Sequence, residues 1–275
     1  MQSTLSINRG RLSVLVALII LSFALLPLIE APTPASVDTS FLGTPLRLDF
    51  TATTIVLLLV TVLTCAGVQQ LVSEHPRMRR GEARRTFSFL ILPAVTVIVA
   101  AQLLVNITDA PLWILGLIMT AIVLWLTILA EYAVVDPEGP LASRSRLFLT
   151  GLAYVLAVLL FALIWNTRAR SSISATLTFI VAGSLAFDLL YATGAQLSRV
   201  FMYALAIALV LAEGNWAINY WRSNVFIAAV AQLLAFYALI GLAGQHLLDR
   251  INRRVLVEFG VVMLVVLLLL LWGRV

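Results

Sequence analysis

Lysine is absent from this chain, so its eighteen strongly basic side chains are all arginines. Charge of either sign is scarce: Asp, Glu, Lys and Arg make up 11% of the residues, against about 25% in soluble proteins. That scarcity excludes an ordinary water-soluble domain. A single cysteine, Cys65, rules out an intrachain disulfide and any thiolate metal cluster. It sits in an apolar run, where a thiol behaves as a small hydrophobe. The two histidines, His75 and His246, have no second ligand at metal-binding spacing. The chain also has no His-Glu-x-x-His helix, Walker loop or CxxC pair, so no catalytic motif, metal or cofactor is implied. Long polar segments are missing as well. The longest, residues 30–49, leaves no room for a separate soluble domain.

Apolar residues make up 62% of the chain. They gather in nine stretches, residues 12–29, 50–72, 86–105, 112–135, 147–165, 173–191, 200–220, 225–242 and 255–272. A hydrocarbon core about 30 Å thick takes roughly 20 apolar residues of helix to cross. Inside it only a helix or a closed barrel satisfies every backbone polar group. Stretches this long and uniformly apolar do not alternate as barrel strands do. The expected fold is therefore an all-α, polytopic transmembrane helix bundle of about nine spans. Residues 1–275 form one integral membrane domain, with a first helical pair (12–72), hairpin repeats (86–247) and a terminal helix (255–272). An alternative reading of the first stretch is a leader cleaved after Thr33-Pro34-Ala35, which leaves eight spans. Residues 30–49 are then an outside loop or a short interfacial helix.

Arginine placement orients the chain. With the N-terminus inside, thirteen arginines fall on the cytoplasmic side: 9, 11, 77, 79, 80, 84, 85, 144, 146, 199, 250, 253 and 254. Five fall outside, at 47, 168, 170, 222 and 274. The positive-inside rule then gives a cytoplasmic N-terminus and an outside C-terminus, in a bacterial or archaeal cytoplasmic membrane. Tryptophans 113, 165, 221 and 272 fall near the outer span ends, as an interfacial belt does. The basic balance reflects topology rather than nucleic-acid binding, because loops this short cannot build a basic face for a duplex.

Short sequence matches point to tandem hairpins. Ser145-Arg146-Leu147-Phe148 matches Ser198-Arg199-Val200-Phe201, and Arg170-Ser171 matches Arg222-Ser223. Gly194-Ala195-Gln196-Leu197 matches Gly244-Gln245-His246-Leu247 at a similar offset. Translational hairpins of this kind differ from the inverted repeats of alternating-access carriers.

Four carboxylates fall within the spans, Glu131, Asp188, Glu213 and Glu258, where an ionised side chain costs about 2.5–3.5 kcal/mol on insertion scales. Glu131 and Glu258 lie near span ends, where snorkelling and a local ion pair account for them. Asp188 has Arg146 and Arg199 as candidate partners. The most unusual segment is Glu213-Gly214-Asn215-Trp216-Ala217-Ile218-Asn219-Tyr220-Trp221-Arg222. Asn215 and Asn219 share a helix face with Ala204, Ala208 and Ala212, a small-residue stripe suited to close helix packing. One reading makes this stripe a packing seam bridged by the amides. The other makes Glu213, Asn215, Trp216, Asn219, Tyr220 and Arg222 the wall of an outward-facing pocket, with Arg168 and Arg170 at its rim, suited to a phosphate or carboxylate.

Three function classes follow. The first is a non-enzymatic scaffold or accessory subunit, partnered by the lipid bilayer and by other membrane proteins or further copies of itself. The second is binding or transport of a small anionic or lipid-linked molecule at the outward pocket. The third is a membrane-embedded transferase, motivated by Glu30, Asp38 and Asp49 in the segment after the first span.

Overall fold

The computed structural model describes residues 9–28, 35–41, 44–50, 52–80, 87–167, 171–220, 224–250 and 252–272. Among the described residues, seven helices are long and apolar enough to cross a membrane. They are α2 (Ala52–Ser73), α4 (Ile91–Val105, entered through a 3-10 turn at Ser88–Leu90), α5 (Ala110–Val134), α6 (Ala142–Asn166), α7 (Ser171–Tyr191), α8 (Leu197–Asn219) and α9 (Val225–Leu247). Three helices lie outside that set: α1 (Arg9–Leu25), the four-residue α3 (Pro76–Arg79) and α10 (Arg253–Trp272), whose apolar stretch is Val257–Leu268. The chain is a multi-pass membrane protein.

Local chemistry explains why these runs remain helical despite their threonines and serines. The hydroxyls of Thr61, Thr64, Thr96, Thr120, Thr127 and Ser184 each donate to the carbonyl four residues earlier, at 2.7–2.8 Å. Each polar side chain is thereby satisfied within its own helix. Starts are marked as well. Asn224 caps α9, its side chain accepting from the Phe226 N–H at 3.1 Å, and Pro111 follows the extended Asp109 into α5.

One expectation is corrected between α1 and α2. In the segment expected as a loop or interfacial helix, the described residues are instead two antiparallel strands, β1 (Ala35–Phe41) and β2 (Thr44–Phe50), while residues 30–34 lie outside the described residues. Their register pairs Ala35 with Phe50, Asp38 with Arg47 and Phe41 with Thr44. The physical reason lies in the sequence itself. Leu46, Leu48 and Phe50 alternate with Arg47 and Asp49, a period of two rather than 3.6. Two residues, Leu42 and Gly43, separate the strands, the spacing of a tight hairpin.

The contacts divide the chain into two compact units, Met1–Arg146 and Leu147–Val275. In the first, α1 packs on α2 and α5, and α4 packs on α2 and α5. Its core is drawn from one stripe of each helix: Leu12, Ile19 and Phe23 of α1, Val68 and Val72 of α2, Val97 and Leu104 of α4, and Leu124 and Ile128 of α5. The opposite faces are apolar and exposed, Leu58, Leu59 and Val62 among them, whereas Leu57 packs against the core. Glu131 does not snorkel to a surface: it is buried, at 3% exposure.

In the second unit α7 and α8 form the tightest pair, and α9 packs on α8, α7 and α10. Small residues let the first two backbones approach. Ala182 and Ala186 of α7 are buried, as are Ala204 and Ala208 of α8, and a Cβ on Gly183 would stand 3.2 Å from that of Ala208. Gly241 of α9 plays a similar part against α10, since a Cβ there would lie 2.1 Å from the Phe259 ring. Rings join α6 to α9: Tyr154 and Phe161 meet Phe236 edge-on at 5.9 and 6.2 Å between centroids. Trp165, expected in an interfacial belt, is instead buried with Ile218 and Ala228. The leucine run of α10 is exposed at Leu264, Leu267, Leu268 and Leu271.

The proposed hairpin matches fare unevenly. Ser145-Arg146 and Ser198-Arg199 both lie within the first five residues of a helix, α6 and α8 respectively. Arg170, Arg222 and Ser223 lie outside the described residues. The third match does not hold structurally, because Gly194 is in the turn after α7 while Gly244 is inside α9. The residue equivalent to Gly194 by conformation is Asp249: both adopt positive φ, 81° and 52°, just past a helix end. There the Arg250 N–H reaches back to the Gln245 carbonyl at 2.9 Å and closes α9.

Candidate functional site

The segment singled out in the sequence ends α8, and helical geometry divides it. Asn215 and Asn219, four residues apart, share one face; Glu213, Trp216 and Tyr220 share the other. Asn215 is 2% exposed, and Gln232 of α9, also buried, donates from Nε2 to Asn215 Oδ1 at 2.9 Å. Asn219 Nδ2 donates to Ser174 Oγ of α7 at 2.6 Å. The Ser174 hydroxyl donates in turn to the Ser171 carbonyl at 3.1 Å. The two amides thus tie α8 to both of its neighbours. Asn215 Nδ2 is buried and has no hydrogen-bond partner among the described residues.

The other three residues point away from this seam. Glu213 is exposed, as are Trp216 and Tyr220, at 54% and 77%. The Trp216 Nε1 donates to the Tyr220 hydroxyl at 3.4 Å, joining their polar tips one turn apart. Leu209 and Val210 on the preceding turn are also exposed, so the carboxylate stands on an apolar surface. Arg168, Arg170 and Arg222 lie outside the described residues. The structure therefore does not bring Glu213 to Asn215 and Asn219, because positions two apart on a helix point to nearly opposite sides.

Two partners in the seam escape a reading of the α8 segment alone. Gln232 and Ser174 sit on separate helices, far from Asn215 and Asn219 in sequence. Gln232 carried a signal: it is the only amide in the apolar first four turns of α9. A lone amide at membrane depth needs a partner on another helix.

A second polar cluster lies in the first unit, where α2 and α5 end. Arg11 of α1 pairs with Glu74. The Arg77 guanidinium stands 3.2 Å from Asp136 and 3.6 Å from Glu138. His75 caps α3, its Nδ1 accepting from the Arg77 N–H at 3.2 Å, and its ring meets Tyr132 edge-on at 4.7 Å. Partial burial lowers the His75 pKa; Asp136 opposes that shift and Arg77 adds to it. A neutral ring suits the cap, since only unprotonated Nδ1 can accept. The cluster fastens the short segments after α2 and α5 to each other. No group of three or more metal-ligating side chains occurs among the described residues. In the second unit His246 packs on Tyr203 at 5.7 Å, while the Ser184 hydroxyl is bonded to the Ile180 carbonyl.

A family model described as a protein of unknown function (DUF5656) matches residues 32–273. No curated protein and no solved structure matches the chain.

Proposed function

The chain belongs to this DUF5656 family, and from its own residues we propose that it is a non-enzymatic scaffold or accessory subunit of a membrane assembly. The observation that carries this reading is the exposed face of α8. Glu213 stands there on an apolar surface beside Trp216 and Tyr220. A carboxylate in that setting is costly against lipid and is relieved by a donor or cation on a partner helix. Aromatic residues flanking it supply contact area and polar tips, the make-up of an interface anchor. In this reading the bundle has nine spans, α1 and α10 included, with the N-terminus cytoplasmic and the C-terminus outside. The arginine distribution supports that orientation.

The test is site-specific photo-crosslinking from positions 213 and 216 in native membranes, with Leu58 and Leu264 as lipid-facing controls. The mass of the protein in native-lipid nanodiscs is measured alongside. The expected result is a discrete protein adduct from 213 and 216, the latter lost in Glu213→Leu, and an assembly heavier than one chain. A monomer that crosslinks only to lipid from all four positions overturns the proposal.

A second reading, binding of a small anionic or lipid-linked molecule near the end of α8, draws support from one observation. The buried Asn215 Nδ2 lacks a protein partner among the described residues and is a donor available to an acceptor from outside the chain. Arg168, Arg170 and Arg222 adjoin it in the sequence reading. Thiol labelling of an Asn219→Cys, Cys65→Ser double variant distinguishes this reading from the scaffold: an added organophosphate slows the labelling only if the anion binds there.

A further inference from the structure

Six hydroxyls within the spans donate to the carbonyl four residues before them, but Thr178 of α7 does not. It is fully buried, and its Oγ1 has no hydrogen-bond partner among the described residues. Asn215 Nδ2 of α8 shares that condition. These two residues occupy one level of the α7–α8 pair. Nearer the ends of the helices Asn219 bonds Ser174, and deeper in the pair Gly183 meets Ala208, so the two helices run antiparallel. Four residues on from Ser174 and four back from Asn219 stand Thr178 and Asn215, on the faces that those contacts bring together. The Asn215 carboxamide is planar, and its oxygen is held on the α9 side by Gln232 Nε2 at 2.9 Å. Its nitrogen is therefore turned away from α9, and α7 is the neighbour that Asn219 reaches from the same face.

We infer that one water molecule is held between α7 and α8, accepting from Asn215 Nδ2 and donating to Thr178 Oγ1. The Ser174 carbonyl, which the Thr178 hydroxyl leaves unused, lies one turn away with a second lone pair for the remaining hydrogen. A buried water takes about two to four bonds from polar groups of this kind. Other occupants fit less well. The Asn219–Ser174 bond closes the level on one side and the contact of Gly183 with Ala208 on the other. Thr178 and Asn215 are 0% and 2% exposed, so the occupant is small. Ser174, Thr178, Asn215, Asn219 and Gln232 are all neutral, and an anion among them would be buried without a counter-charge. The water completes a polar layer that joins Thr178, Asn215 and Gln232 across three helices. It depends on Gln232, because without that bond the carboxamide is free to turn. Ordering a water offsets most of what its hydrogen bonds gain, so occupancy reports this site better than stability does. The inference is independent of the scaffold reading, and it gives Asn215 Nδ2 a different acceptor from the anion of the second reading.

The experiment is proton-detected solid-state NMR of the full chain in lipid bilayers, with magnetisation transferred from water to the Asn215 side-chain amide. That signal is identified by its loss in Asn215→Leu. The expected result is a water cross-peak at the amide that persists in Thr178→Ser and disappears in Thr178→Val, which keeps the shape of threonine without its hydroxyl. A wild-type amide without a water cross-peak overturns the inference, and so does an undiminished cross-peak in a folded Thr178→Val protein. Loss in Thr178→Ser as well would assign the effect to packing and would equally overturn it. Sodium chloride and sodium phosphate, added in turn, are expected to leave the amide shift unchanged. A saturable shift would mean an anion site and would also overturn the inference.

Discussion

Gln232 and Asn215 offer the sharpest quantitative test of the second unit. The bond between them runs from Gln232 Nε2 to Asn215 Oδ1 at 2.9 Å, with both residues buried and Asn215 Nδ2 unpartnered among the described residues. Replacing Gln232 with Met keeps the side-chain length but leaves the Asn215 carboxamide with neither oxygen nor nitrogen satisfied. Leaving a buried polar group unmade costs about 1–3 kcal/mol. Asn215→Leu strips Gln232 of its acceptor, yet it also removes a donor that was already unpaired, so it costs less, about 1 kcal/mol at most. Gln232→Met is thus the more damaging single change. The double variant leaves neither group half-paired and so loses less than the sum of the two singles. The coupling between the two sites is about 0.6 kcal/mol, with about 1.7 kcal/mol the upper end for bonds within membrane bundles. The measurement is reversible unfolding in mixed lipid–detergent micelles, followed by circular dichroism for all four corners of the cycle. Two outcomes refute the reasoning: Asn215→Leu costing more than Gln232→Met, or a double variant whose loss equals the sum of the singles.

Three further outcomes are expected. Gly241→Ala drives a methyl into the Phe259 ring and costs about 1–3 kcal/mol, and Phe259→Leu in the same chain restores part of the loss; an unchanged thermal midpoint in Gly241→Ala would contradict the contact. Gly194→Ala, at φ 81°, costs about 1–2 kcal/mol, whereas Asp249→Gly, at φ 52°, gains stability in the same thermal assay. A loss of stability in Asp249→Gly would argue against the left-handed assignment. His75 has a native pKa below its unfolded value, so the unfolded chain takes the proton first as pH drops below about 6.5. Stability then declines until the lowered native value is reached and levels off below it. His75→Asn keeps a capping acceptor without titrating, and the difference between its thermal midpoint and that of wild type should shift over this window; a flat difference refutes the account.

The helices were legible because a membrane imposes one rule on the backbone, and long apolar runs meet it in one way. The small-residue seam was legible too, since Ala204, Ala208 and Asn215 recur at helical spacing. What the α8 segment concealed was its division. Read along the chain, Glu213, Asn215, Trp216 and Asn219 form one polar cluster; wound into a helix, they serve two surfaces. Their partners Gln232 and Ser174 belong to other helices, and pairing between helices depends on packing that no single segment encodes. The hairpin at 35–50 carried a legible signal, the alternation of Leu46, Leu48 and Phe50 with charged residues, which is easily overlooked between longer apolar runs. Glu131 and Trp165 mislead for a related reason: distance from a span end does not reveal which side of the helix faces the core.

The alanine and glycine contacts between α7 and α8 bear on the order in which the second unit assembles. Alanine and glycine have no rotamers to lose, so bringing Ala182, Gly183 and Ala186 against Ala204 and Ala208 orders no side chains. The segment joining the two helices is only residues 192–196, which keeps the loop-closure cost low. This hairpin can therefore close early, with α9 docking later onto the finished pair through Gln232. Its larger residues, Phe236 among them, must each surrender conformational freedom on docking.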